Sequence, residues 1–316
     1  MRQRQRLLTY SEPQGEYDLR CALADYVRER RNVVTAPEHI VVGAGVQMLL
    51  EILCVLLKGR RTVSFPDGSF VQGSTVFAAH GYAVRTRYKD ADIIYVSPSH
   101  MNRQGDVMPI QRRLELCAHS ADTGAVVIED DFENDFLYSS TPTPSLYALG
   151  SGNVVYMGAF SALLLPGIRI SFMVLSPALA AAYHQMKDTF AQTASKTEQI
   201  ALCAYLRDGN MKTRTKKIRR LYTGKTKTLC ALLAKALPDH PVRVGENGLQ
   251  VQIETPMLPD SAPFEQAGLA LYIVKEKSGK NIVVVSPSAV PADRLEEAAH
   301  AVAAALYKAE EAAKAK

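Results

Sequence analysis

Nowhere in its 316 residues does the sequence hold a run of about 18 apolar residues, the length that a membrane-spanning helix needs. Nor does any of the five cysteines, Cys21, Cys54, Cys117, Cys203 and Cys230, stand in a CxxC pair. Their odd number, wide spacing and apolar or helical surroundings argue against a disulfide framework or a metal site and predict buried thiols. The start, MRQRQRLLTY, lacks the apolar stretch of a secretory signal, so a cytoplasmic location is expected. Internal repeats and low-complexity linkers are missing too, apart from an Ala/Lys/Glu-rich end. What is present is a hydrophobic content of 47%, enough to bury a large core and divide it between two lobes. The formal charge is only +5, and much of the excess is local: Lys212, Arg214, Lys216, Lys217, Arg219, Arg220, Lys225 and Lys227 lie close together, spread around the helix that the pattern predicts there. A solvated connecting helix and a nucleic-acid contact are both open readings of that run.

Along the chain, helix and strand patterns alternate. EYDLRCALADYVRERRNV spaces Leu19, Ala22, Leu23 and Val27 as a helix does, and Arg28, Arg30 and Arg31 suit its C-terminus. HIVVGAGVQMLLEILCVLL reads as a buried strand, a glycine turn and a helix; RTVSFP, ADIIYVSPS, GAVVIEDD, NVVYMGA and IRISFMVLS are further strands. Strands that are apolar throughout and separated by helices predict a mostly parallel sheet covered on both faces, an α/β architecture. After about residue 180 a long helical region leads into the basic helix. VRVGENGLQVQIET, NIVVVSPS and a helical tail then suggest a smaller α+β lobe. The expected division is residues 1–210 for the N-terminal segment and large lobe, and 211–316 for the connecting helix and small lobe.

In an open α/β sheet, ligands bind beyond the carboxyl ends of the strands, and the chemically informative residues cluster there. Gly43, Ala44 and Gly45 lie between a strand and a helix, where backbone amides and the positive helix end suit a phosphate. Glu129, Asp130 and Asp131 follow a buried strand, where carboxylates are costly unless they meet a cation or a protonated ring nitrogen. Helix capping is the ordinary alternative for them. Ser99, His100 and Asn102 follow a third strand, and Arg169 precedes a fourth, as an anion clamp or a surface charge.

Taken together, YSEPQGEYDLR, VVGAGVQMLLEIL, YVSPSHMNRQGDVMPIQRR, VIEDDFENDFLY, VVYMGAFSALLLPGIRISFMVL and KTEQIAL resemble the aminotransferase-like domain of MocR-type (GntR-family) bacterial transcription regulators, a branch of the fold-type I pyridoxal 5'-phosphate (PLP) enzymes. The resemblance runs from about Leu7 to the last helix. It implies PLP as cofactor, with Asp130 at the pyridine nitrogen and Asn102 at the ring hydroxyl. Gly45 and Val46 would hold the phosphate through backbone amides, and Ser161 and Arg169 through side chains. Phe70 would stack on the ring. Tyr10 would reach the phosphate of a neighbouring subunit, which implies a homodimer.

The departures from the family matter as much. Where the family has the lysine that binds the cofactor covalently, this sequence has Ala162, so no catalytic residue is assigned. Phe132 replaces a tyrosine, Ala159 a threonine or serine, and Val284 falls where the family carries an arginine for a substrate carboxylate. Between Gly81 and Asp92 the chain is shorter than its relatives by roughly one strand-helix connection. Nothing in the sequence resembles the regulators' winged helix, so DNA is expected as a partner only through a domain outside this chain. The favoured function is an effector-sensing domain that binds PLP and a small amine or amino-acid ligand as a PLP adduct. The alternative is an aminotransferase-class enzyme, lysine-less naturally or through an engineered Lys→Ala change. His100 reads as a hydrogen-bonded wall or a base, and Lys196 as a solvated helix-start lysine or a substitute amine.

Overall fold

The computed structural model describes residues 6–102, 104–131, 144–150, 152–257, 259–275 and 279–314. The chain divides into two compact units. The first gathers Met1–Met101, Met108–Glu133 and Thr141–Arg214; the second is mainly Asn102–Val107 with Thr215–Lys316.

The first unit is built on a seven-stranded sheet. Its strands are β1 (Ile40–Gly43), β2 (Thr62–Phe65), β3 (Ala83–Thr86), β4 (Ile93–Val96), β5 (Val126–Asp130), β6 (Val154–Ala159) and β7 (Ser171–Val174), in the order β1-β7-β6-β5-β4-β2-β3. β6, β5, β4, β2 and β3 pair in parallel, whereas β7 runs antiparallel to both β6 and β1. The reversal at β7 has a local cause. Residues 160–170, between β6 and β7, contain only a short turn of 3-10 helix, and a parallel return needs a longer crossover. The register sets the site. Gly43 and Ala159 both face Ser171, Asp130 faces Met157, and Val96 faces Glu129, so the carboxyl ends of β1, β4, β5 and β6 share one edge of the sheet.

Helices cover both faces, as wholly buried strands require. These are α1 (Tyr17–Arg31), α2 (Val46–Leu56), α3 (Val71–Ala79), α4 (Ile110–Thr123), α5 (Leu146–Leu149), α6 (Pro177–Met186) and α7 (Lys196–Arg207). Leu49 and Leu53 of α2, Phe77 of α3 and Tyr183 of α6 pack with Ile128, Met157 and Met173 on one face; Leu116 and Cys117 of α4 pack with Val127 and Val154 on the other. α1 buries Leu19, Ala22, Leu23 and Val27, the spacing read from the sequence, and ends at Asn32 in the left-handed conformation at φ 55°. The mostly parallel sheet is the architecture expected. β3 was not anticipated: its residues are half-buried or exposed, and it forms one edge of the sheet.

The second unit has a four-stranded antiparallel sheet, β8 (Val242–Val244), β9 (Val251–Thr255), β10 (Tyr272–Lys275) and β11 (Asn281–Val285), in the order β10-β11-β9-β8. It packs with α8 (Asn210–Ala236), the short α9 (Ala262–Gln266) and α10 (Leu295–Lys314) through Leu229, Leu233, Ile253, Phe264, Val283 and Leu306. Val284 is buried in β11, opposite Tyr272. Cys54, Cys117 and Cys203 are buried, while Cys21 and Cys230 are half-buried; all five are free thiols. No described helix is long and apolar enough to cross a membrane.

Candidate functional site

Three carboxylates leave the end of β5, and the pleat separates them. Successive side chains on a strand point to opposite faces, so Glu129 and Asp131 share one face and Asp130 takes the other. Glu129 accepts from the backbone amides of Leu146 and Tyr147 at 2.9 and 3.0 Å, capping α5. Asp131 accepts from Arg31 Nε at 2.7 Å, from the Tyr156 hydroxyl at 2.6 Å and from the Ser99 hydroxyl at 3.2 Å. The capping that was the alternative reading for these carboxylates is met by Glu129, whereas Asp131 belongs to a buried ion pair. Arg31 stands 3.9 Å from Glu129 as well, so one guanidinium serves both carboxylates. Burial, with Asp131 close by, still raises the Glu129 carboxyl to about 7.

Asp130 is set apart from that network. Its carboxylate accepts a short hydrogen bond from the Tyr95 hydroxyl, and its backbone carbonyl accepts from the Ser97 hydroxyl at 2.9 Å. Among the described residues no lysine or arginine pairs with it. Burial is the largest influence on its carboxyl and raises it to about 6; the Tyr95 hydroxyl pulls the other way, Asp131 adds to the rise, and His100 opposes it. Tyr95 is itself fixed by neighbouring rings, with Phe70 at 5.3 Å and Phe65 at 5.0 Å between centroids. Phe70 precedes α3, and its ring covers Gly73 so closely that a Cβ there would collide with it.

The second half of the site is a cradle for an anion. Gly45 caps the N-terminus of α2 at φ 95°, with no capping side chain of its own, and among the described residues no side-chain hydrogen bond to the first amides of that helix is seen. Such an end carries unpaired N–H groups and partial positive charge. Ala44 N–H donates to the Thr193 hydroxyl at 2.9 Å, which fixes the turn. Arg169, itself left-handed at φ 49°, lays its guanidinium against Gly45, where an added Cβ would strike it. Glycine is required here both for the backbone angle and for this approach. Guanidinium and helix end together match a phosphate dianion.

Of the remaining expected residues, Val46 begins α2, Ser161 is half-buried in the turn after β6, and Ala162 is exposed beside it. Phe132 lies outside the described residues. Asn102 belongs to the second unit; its amide nitrogen donates to Asp106 at 2.7 Å, and its oxygen accepts from the backbone amides of Gln104 and Asp106. The described hydrogen bonds of that side chain thus stay in its own loop. Tyr10 is fully exposed. Lys196, at the start of α7, is half-buried and has partners: its ammonium donates to Thr9 O, Thr9 Oγ1 and Tyr10 O at 2.9–3.1 Å and lies 3.5 Å from Glu16. Sequence reasoning missed Tyr95, Tyr156, Arg31 and Thr193. Tyr95 left a signal, a hydroxyl inside an apolar strand that needs a buried partner; Arg31 read only as a helix-end charge.

The family model for aminotransferase class I and II matches residues 1–93. Among curated proteins, the chain is 30% identical over 288 residues to the uncharacterized HTH-type transcriptional regulator YdeL of Bacillus subtilis, covering 86% of this chain and 60% of that protein. It is 29% identical over 254 residues to the probable rhizopine catabolism regulatory protein MocR of Rhizobium meliloti, covering 76% and 51%. The chain thus spans less than two thirds of the length of these relatives. Among solved structures, LysN, the α-aminoadipate aminotransferase of Thermus thermophilus complexed with N-(5'-phosphopyridoxyl)-L-leucine, superposes with a TM-score of 0.77 at 23% identity, over 96% of this chain and 85% of that one.

Proposed function

We propose that this chain, an aminotransferase-like domain of the fold-type I class carried by MocR-type GntR-family regulators, binds pyridoxal 5'-phosphate without covalent attachment and serves as the sensor of a small amine or amino acid. The observation that carries this reading is Asp130, a desolvated carboxylate held by a tyrosine hydroxyl and paired with no lysine or arginine among the described residues, on the same sheet edge as the Gly45–Arg169 cradle. A protonated pyridine nitrogen is the cation that such a carboxylate suits, and a phosphate suits the cradle. When bound, PLP supplies an aldehyde that condenses with amines and a ring that withdraws electrons.

The residues then have separable tasks. Asp130 accepts the proton-bearing nitrogen and keeps it charged, while Tyr95 holds the carboxylate in place. Arg169, the first amides of α2 and Ser161 bind the phosphate. Phe70 lies against the ring and excludes water from one side. Ala162 offers no amine, so the chain at that position neither attaches the cofactor nor moves a proton. Binding of the ligand amine would shift the balance between conformations, the usual way in which a ligand becomes a signal. A homodimer, with the exposed Tyr10 reaching the neighbouring subunit, completes the reading.

The test is an absorbance titration with PLP, followed by borohydride reduction and intact mass. The expected result is saturable binding with the spectrum of free aldehyde or hydrate and no pyridoxyl mass on the protein. A pyridoxyl adduct mapped to Lys196 would overturn it.

A further inference from the structure

Within the first unit, a cleft of about 450 Å3 opens at the sheet edge opposite the candidate site. Asp92, Val126 and Asn153 stand where β4, β5 and β6 begin, and Ser176 follows the end of the antiparallel β7, so the cleft lies beyond the amino ends of the parallel strands. Asp130 is at the other end of β5, about 13 Å along the strand from Val126. Lys58 and Arg60 line the cleft from the turn after α2, and α6 meets it with its N-terminus. Ser176 is the N-cap of α6, yet its hydroxyl makes no capping bond. That residue is only 3% exposed, lines the cleft, and has no side-chain hydrogen-bond partner among the described residues. Pro177 has no N–H, so the amides of Ala178 and Leu179 are the first that α6 can offer. A buried hydroxyl left unpaired at such a helix end is a donor set that an anion completes. Arg60 commits one guanidinium nitrogen to Gly124 O at 2.9 Å. Lys58 is exposed, with no partner for its ammonium among the described residues.

We propose that this cleft binds a small aliphatic monocarboxylate. Its carboxylate meets Lys58, Arg60, the Ser176 hydroxyl and the first amides of α6, and its hydrocarbon part lies against the half-buried Leu56 and Leu179. The charge balance selects the class. Asp92 also lines the cleft, and its Oδ2 accepts from Arg61 N, Thr62 N and Thr62 Oγ1 at 2.9 Å, bonds that hold the carboxyl below its usual range and keep it ionised. Two cations and one carboxylate leave a single positive charge, to which the helix end adds about half. A monoanion balances that charge, whereas a phosphate dianion exceeds it. The negative end of α2 is largely engaged elsewhere: the carbonyls of Cys54 and Leu57 accept from the Tyr82 hydroxyl, and those of Val55 and Leu57 from the amides of Lys58 and Arg60. The volume falls in the range of small-molecule pockets and admits a body of several carbons. The cleft shares no residue with the cofactor reading and does not rest on it.

The test is calorimetric titration with 4-methylpentanoate, set against 4-methylpentanamide, which has the same body without the charge, and isopentyl phosphate, which carries the dianion. The wild-type chain should bind the acid at least tenfold more tightly than either. Lys58→Gln combined with Arg60→Gln should weaken binding of the acid tenfold or more, and Ser176→Ala about tenfold, as loss of a hydrogen bond to a charged group does. A control pair of exposed lysines, Lys187→Gln with Lys308→Gln, should stay within about threefold of wild type. Thermal melts verify folding. Should the Arg60 change fold poorly, Lys58→Gln alone, at an exposed position, takes its place with about threefold loss expected. PLP titrations of the cleft variants, expected unchanged, keep the result separate from the cofactor site, and Gly45→Ala should retain the acid. Failure of the wild type to bind the acid overturns the proposal, as does equal affinity for the amide, tighter binding of the phosphate, or an equal loss in the control. So does a Gly45→Ala variant that loses the acid while the Lys58 and Arg60 variant keeps it. Binding of the acid at the cleft by a wild-type chain that takes no PLP would uphold this proposal and sink the cofactor reading alone.

Discussion

Asp130 and Asp131 are neighbours in the chain whose carboxylates enter separate networks: Asp130 accepts from the Tyr95 hydroxyl, and Asp131 from Arg31 Nε at 2.7 Å. The one faces the candidate site and the other is locked to α1, so the same substitution should do different things at the two positions.

Asp130→Ala should weaken PLP binding about ten- to hundred-fold, the worth of a hydrogen bond to a charged group at roughly 1.5–3 kcal/mol. Asp131→Ala should leave Arg31 buried without its strongest partner, a loss of about 3–5 kcal/mol in stability. PLP titrations and thermal melts of both variants check this. Equal losses of affinity, or a larger loss at Asp131, would move the ring contact off Asp130.

The pH dependence of the unliganded protein follows from the Asp130 carboxyl, raised by burial from 3.8 to about 6. Between those values the folded state holds a proton that the unfolded state has released. Stability should thus rise as pH falls from about 6 to about 4. Above pH 6 the folded protein carries a cost on the order of 3 kcal/mol, since a tenfold change in proton affinity is worth about 1.4 kcal/mol. Asp130→Asn should remove it and melt higher than wild type at pH 8, with little difference at pH 4. A variant that melts lower at pH 8 would contradict the assignment. Comparing the two proteins cancels the contribution of Glu129.

Gly45→Ala should abolish most PLP binding, by tenfold or more, with the fold retained. The added methyl meets the Arg169 guanidinium, and the backbone stands at φ 95°, so the cradle is what must give. A calorimetric titration reads the affinity. Binding within threefold of wild type would place the phosphate elsewhere.

Ala162→Lys should give the protein a visible absorption band with PLP, and borohydride should then leave a pyridoxyl mass on residue 162. The turn after β6 carries this position beside Ser161, in chain register with Arg169. A folded variant with neither the band nor the mass would mean that the pocket no longer positions a lysine there.

Elements whose evidence is local could be read from the residues alone. An apolar run such as Val126–Ile128, or the 3.6-residue spacing of Leu19, Leu23 and Val27, records its burial within a few residues. β1, β2, β4, β5, β6 and β7 were legible for that reason, and so was the clustering of carboxylates and glycines at strand ends. The edge strands β3 and β10 were not, because a strand with half its surface exposed has no strong period to read. Which carboxylate meets which partner was settled by packing in three dimensions. Arg31 and Asp131 are 100 residues apart, and their pairing exists only because α1 is packed against the sheet that carries β5. A residue's place along its own helix or strand follows from its near neighbours in the chain. What lies across from it depends on how the elements are stacked, and that is set by the whole core at once.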